Sequence, residues 1–296
     1  MDVAVSGASG LIGSALRASL EADGHQVVPL LRPGRPGRGI AWDPEHGTID
    51  ASGLESIDAV VHLAGEGVAA GPWTHRHRTA VLRSRVDGTR LLAGALAGLD
   101  LPPSVLVSGS AIGYYGSRGD EPLPEDAGPG HDFLARVCIA WEAATAVAED
   151  AGIRTVHVRT GMVLAPRGGA LGPQRPLFRA GLGAKAGRGT QWVSWIHLDD
   201  EVGAIRHAIT RADVAGAVNL AAPHPVTNAA FARAFAASLG RRARLTIPRL
   251  ATAVPFGVGQ LVDSLLFASQ RVAPDVLEQT GYRFEHPELA EALAHV

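Results

Sequence analysis

Val3-Ala4-Val5-Ser6-Gly7-Ala8-Ser9-Gly10-Leu11-Ile12-Gly13 decides the fold. A β-branched run leads into three glycines three residues apart, and an apolar helical spacing follows through Leu11–Ala22. A glycine at 7 permits a tight turn. One at 10 lets a diphosphate reach backbone N–H groups at a helix N-terminus, and one at 13 lets the helix pack closely on a sheet. Such a triplet alone is common. Here a strand precedes it, a helix follows it, and a second strand, Gln26–Leu31, arrives on schedule. Read this way, Gly7, Ser9, Gly10, Leu11, Ile12 and Gly13 surround the phosphates of a dinucleotide; a glycine-rich turn without ligand is the competing reading.

Working outward, strand-like Ala59–Leu63, Val105–Ser108 and Thr155–Arg159 alternate with helical Thr79–Leu96 and Phe133–Ala151. That alternation predicts an α/β Rossmann-type, doubly wound parallel sheet of about seven strands, with a small C-terminal substrate lobe. The spacing divides the chain into a core over 1–164, a Gly- and Pro-rich excursion over 165–194, a return to the core over 195–244, and a helical extension over 245–296. Leu250 to Ala268, broken by Pro255, Gly257, Gly259 and Asp263, reads as an amphipathic helix against a core rather than a membrane span. Strand character begins at once, with no signal-peptide pattern before it, which leads to the expectation of a cytoplasmic protein.

The 296 residues are 46% hydrophobic and carry a formal net charge of -2. This excludes a wholly disordered chain and gives no support for nucleic-acid binding. One cysteine, Cys138, excludes an intramolecular disulfide and a cysteine-cluster metal site. His75-Arg76-His77 lacks a second coordinating cluster, so no metal is expected. Lys185 is the sole lysine, so any mechanism needing a lysine has one candidate.

The second strand ends in Leu30-Leu31-Arg32, where an acidic residue would bind the ribose hydroxyls of NAD. Arg32, with Arg35 and Arg38 in the loop Arg32–Gly39, pairs instead with a 2′-phosphate, or else points to water. The expected cofactor is therefore NADP(H). Trp42 contacts adenine or packs.

The chain resembles the extended short-chain dehydrogenase/reductase superfamily. Gly7–Gly13 is similar to its dinucleotide fingerprint, Asp58-Ala59-Val60-Val61-His62-Leu63-Ala64-Gly65 to its fourth-strand motif, and Val107-Ser108-Gly109-Ser110-Ala111 to the strand ending in its catalytic serine. Leu63-Ala64-Gly65-Glu66, Ser110-Ala111-Ile112-Gly113-Tyr114-Tyr115-Gly116 and Ala222-Pro223-His224-Pro225-Val226-Thr227-Asn228 resemble the atypical epimerase-like branch, whose members are often labelled NAD-dependent epimerase/dehydratase or nucleoside-diphosphate-sugar epimerase. The resemblance covers essentially the whole chain. It implies cofactor contacts from Leu63, Ala64, Gly65, Ser108 and Cys138.

The superfamily's Tyr-x-x-x-Lys pair, which moves the proton and holds the nicotinamide ribose, falls on Leu134-Ala135-Arg136-Val137-Cys138. Leucine replaces the tyrosine and cysteine the lysine. No tyrosine in the chain has a lysine four positions on. Other residues then carry the proton, or the protein binds its cofactor without turnover. Ser110 is placed to bond a substrate oxygen, Tyr115 to donate from the following turn, and Glu66 to act as acid or base if burial raises its pKa. Arg136 supplies charge unless helical phase turns it away; Arg83-Ser84-Arg85 reads as a charged helix face. The partner is a small molecule, and the chain a monomer or a homodimer.

Overall fold

The computed structural model describes residues 1–255 and 257–296. Its central sheet runs Gly216–Leu220, Arg154–Thr160, Val105–Ala111, Ala59–His62, Asp2–Ser6, Gln26–Leu31, Ile40–Asp43 and Thr48–Ile49. Neighbours are parallel throughout except the last two, which close the edge as an antiparallel ribbon. The strand order reverses at Asp2–Ser6, and ligands of open α/β sheets bind outside the carboxyl end of such a strand.

Strands buried on both faces need two apolar layers, and the sequence supplies them. Val3, Val5, Val61 and Val107 face Leu16 and Leu20 of the helix Leu11–Ala22 and Ile205 of the helix Leu198–Thr210. Ala4, Val60 and Leu106 face Leu92 and Leu96 of the helix His75–Ala97.

Three expectations are corrected. Strand Val105–Ala111 continues three residues past Ser108, because Gly109 and Ser110 sit between paired strands, Ser110 opposite Arg159. The segment Phe133–Ala151 is two helices, Phe133–Ala143 and Ala146–Asp150, broken where the Thr145 hydroxyl bonds the Glu142 carbonyl at 2.8 Å. Leu250–Ala268 is not one helix on a core. It is the turns Arg249–Ala253 and Asp263–Phe267 around the helix Val258–Val262, with Leu250, Val254 and Leu265 exposed. Gly257 breaks it: its φ is +81°, and a Cβ there would lie 2.4 Å from the Trp73 carbonyl oxygen.

The C-terminal segment is not separate from the sheet domain either. Leu245–Ile247 pairs with Ala184–Ala186, and Arg271–Val272 with Pro122–Leu123. Leu277 lies in the same buried cluster as Val218 and Ile205. The buried Asp200 carboxylate accepts the amides of Glu285 and His286 at 2.7 and 2.9 Å. Among the described residues no helix is long and apolar enough to cross a membrane.

Candidate functional site

The glycine loop is built as a cradle. Gly7 has φ +71°, and a Cβ on it would sit 3.0 Å from the Ala64 nitrogen at the end of the neighbouring strand. A Cβ on Gly13 would lie 2.2 Å from the Gly7 carbonyl oxygen. The third glycine thus packs the helix against the loop itself rather than against the sheet. Gly10 precedes the helix, and no side chain caps it. The first-turn amides, at Leu11, Ile12 and Gly13, therefore have the orphan-donor character that suits an anion.

Behind the loop lies a pair that motif reading missed. Ser6 Oγ accepts the amides of Leu63 and Ala64 at 3.2 and 3.3 Å, so its own proton goes to His62 Nδ1 at 2.6 Å. Burial pushes the His62 pKa down to about 4, and the ring is neutral. This ties the exit of strand Ala59–His62, where Leu63 and Ala64 are half-buried and Gly65 exposed, to the end of the first strand. Trp42 meets His62 edge to face and is buried; it packs rather than lying open to an adenine.

A cleft of about 570 Å3 opens beside the second strand, lined by Arg32, Arg35, Gly37, Ala41, Asp43 and Asp50 among others. Arg32 and Arg35 are exposed. Asp43 is engaged by His46 at 2.7 Å, and that bond holds its carboxyl below the usual range.

At the other end of the sheet edge, Ser110 donates to Glu142 Oε1 at 2.6 Å. Arg159 Nε donates to the same oxygen at 2.8 Å, and its Nη2 to Oε2 at 2.9 Å. Burial disfavours the Arg159 charge, but the bonds to Glu142 outweigh it and its pKa is raised. Glu142 follows Cys138 by one helical turn, and Arg159 ends the adjacent strand. Neither was picked out for this role from the sequence. A serine opposite an arginine across paired strands is visible only once the register is known.

Four site expectations are corrected. Tyr115 is fully buried; its hydroxyl donates to Asn219 Oδ1 at 2.7 Å and accepts from Arg159 at 2.9 Å, with burial pushing its pKa up to about 12. It braces the site from behind. Glu66 is exposed, so the burial that its acid or base role required is missing. Ser108 is fully buried, its Oγ without a partner among the described residues, and does not open on the cleft. Cys138 is buried, with burial pushing its thiol up to about 12, so it has no open face for the cofactor contact expected of it.

Other residues fall as follows. Arg136 turns away to the His131 carbonyl at 2.8 Å. Arg85, read as a solvated helix face, instead reaches into the site: its Nη1 donates to the Glu66 carbonyl at 2.8 Å. His197, Asp199 and His286 bring potential ligand atoms within 4.8 Å of one another. His197 Nδ1, however, accepts the Asp199 amide at 3.2 Å as a helix cap, which leaves the proton on Nε2. A second cleft, about 400 Å3, is lined by Gly119, Asp120, Arg188, Gln191, Arg249 and Ser269 among others, joining the excursion to the tail. Gln270 Nε2 donates to the Ile112 carbonyl at 2.8 Å, so the tail holds the turn that follows Ser110.

The NAD dependent epimerase/dehydratase family matches residues 3–221, and a domain of unknown function, DUF1731, matches residues 250–296. The epimerase family protein Mb2239 of Mycobacterium bovis is 42% identical over 99% of this chain and 96% of its own length. A crystal structure of the human epimerase family protein SDR39U1 with NADPH superimposes with a TM-score of 0.91, at 38% identity over 100% of this chain and 99% of that one. A nucleoside-diphosphate sugar epimerase from Corynebacterium glutamicum gives 0.82 at 38% identity, over 100% of this chain and 57% of that one.

Proposed function

The chain belongs to the NAD dependent epimerase/dehydratase family, and we propose that it is an NADP(H)-dependent oxidoreductase or epimerase of the atypical short-chain type. Its substrate would be a small carbonyl or hydroxyl compound or a sugar nucleotide. The observation that carries the reading is the cradle: Gly7 and Gly13 admit no Cβ, so strand end, loop and helix pack closely beside a helix N-terminus that no side chain caps. The human relative crystallised with NADPH supports the choice of cofactor, and so does the position of Arg32 and Arg35 on the ribose-side cleft.

When bound, the coenzyme supplies a hydride donor or acceptor. The rest is work for this chain's residues. The amides of Leu11 and Ile12 hold the diphosphate, and Arg32 pairs with the 2′-phosphate. Ser110 is the group for the substrate oxygen. Its proton is directed at Glu142, so its lone pairs are free to accept from a substrate hydroxyl. As that hydroxyl is oxidised, its proton passes to Ser110 Oγ and the serine's own proton to Glu142 Oε1. Arg159 holds that carboxylate in place through its ion pair at 2.8 Å. Reduction runs the same path backwards. The second cleft, between Gly119 and Asp120, the excursion and the tail, is the place for the rest of the substrate.

A second reading, a cytoplasmic NADP(H)-binding sensor without turnover, is favoured by one observation: Leu134 and Cys138 stand where the proton-transferring pair belongs. Assaying NADPH oxidation across carbonyl compounds and sugar nucleotides separates the two. The enzyme reading expects turnover that falls about 100-fold or more in Ser110→Ala. Saturable NADPH binding with no turnover on any substrate would favour the sensor.

A further inference from the structure

We propose that Arg85 takes over the task of the missing lysine, gripping the hydroxyls of the nicotinamide-side ribose from a different helix. The inference rests on the NADP(H) reading above. The vacancy is specific: position 138 holds a buried thiol that cannot carry a positive charge. Among the other cations near the site, Arg136 is turned away and Arg159 is spent on Glu142. Lys185 lies in the excursion strand and bonds the Arg188 carbonyl.

Arg85 fills the gap. It projects from the helix His75–Ala97 across the end of the fourth-strand motif. A Cβ on Gly65 would meet its guanidinium carbon at 3.2 Å. That carbon stands 4.9 Å from the centre of the Trp141 ring, which lies one helical turn beyond Cys138, and its charge reaches the Cys138 thiol. Its Nη1 is fixed by the carbonyls of Glu66 and Val81 at 2.8 and 3.1 Å. Its Nε and Nη2 bond nothing among the described residues. A planar fork anchored at one nitrogen and free at two suits a pair of vicinal hydroxyls. Gly65 then has a second function: any side chain there would push the guanidinium away.

The test compares binding of NADPH with that of 2′,5′-ADP, which lacks the nicotinamide ribose. In Arg85→Gln, which keeps a donor for the Glu66 carbonyl but loses the charge, NADPH affinity should fall about tenfold or more, with 2′,5′-ADP affinity unchanged. Adding Cys138→Lys to that variant should restore NADPH affinity, because it puts a cation at the position where the superfamily's lysine falls. Unchanged NADPH binding in Arg85→Gln, equal weakening of both ligands, or no rescue by Cys138→Lys would each overturn the proposal. Failure of the unaltered protein to bind either ligand would instead overturn the NADP(H) reading on which it rests.

Discussion

Glu201 shows how single residues set this protein's response to pH. It is fully buried beneath the sheet edge, with Thr160 donating to one oxygen at 2.7 Å and the other oxygen unpartnered among the described residues. Burial pushes its pKa up to about 8 from 4.5. In that interval the folded protein holds a proton that the unfolded chain has released, so stability falls as pH rises. His62, held down to about 4 by burial, works in the opposite sense below pH 6.5, where the unfolded chain takes the proton first. Above about pH 6.5 only the Glu201 effect remains of the two. Urea denaturation should show a loss on the order of a few kcal/mol between pH 6.5 and 8.5. Glu201→Gln should flatten that slope; an unchanged slope would show that this carboxyl is ionised when folded. At this scale the sequence was only partly legible. The tight turn at Gly7 could be read, and so could a close approach at Gly13, although Gly13 meets the loop and not the sheet. Side-chain roles at the catalytic end could not. Tyr114 and Tyr115 are neighbours, yet Tyr115 is sealed inside while the half-buried Tyr114 ring carries the Arg159 guanidinium 3.5 Å from its centre. No local pattern says which way a short turn aims its rings.

Among the elements, Leu11–Ala22 and Gln26–Leu31 stand where their apolar period put them, while the helix read over Thr79–Leu96 starts four residues earlier, at His75. The misreadings fell where tertiary pairing overrides local character. The strand-like run read over Val105–Ser108 carries on through Gly109, where the Trp141 ring covers the place of the missing side chain; a Cβ would lie 2.8 Å from it. The tail looks like an appended helical lobe but reaches back into the core. Its short helix Asp275–Gln279 owes its place to Leu277, fully buried in the main cluster. Leu277→Ala should therefore destabilise the whole protein by about 2–5 kcal/mol in a single unfolding transition. If the tail were a separate lobe, the variant would melt in two steps, with the sheet domain unaffected.

For the molecule as a whole, a two-sided apolar core fixes a parallel sheet, and its strand order opens the crevice at the first strand. The glycine loop follows the first strand, and the Ser110–Glu142–Arg159 network joins the strands Val105–Ala111 and Arg154–Thr160. The architecture was legible because it follows from backbone geometry and apolar periodicity; the network was hidden because it joins residues far apart in sequence. The central claim is that the first-turn amides and Arg32 hold a 2′-phosphorylated dinucleotide. Titrating the protein and its Arg32→Ala variant with NADPH and with NADH tests this most directly. Saturable NADPH binding is predicted, with the variant losing NADPH affinity by about tenfold or more and NADH affinity hardly at all. No binding of either coenzyme, or an equal loss for both, would contradict it.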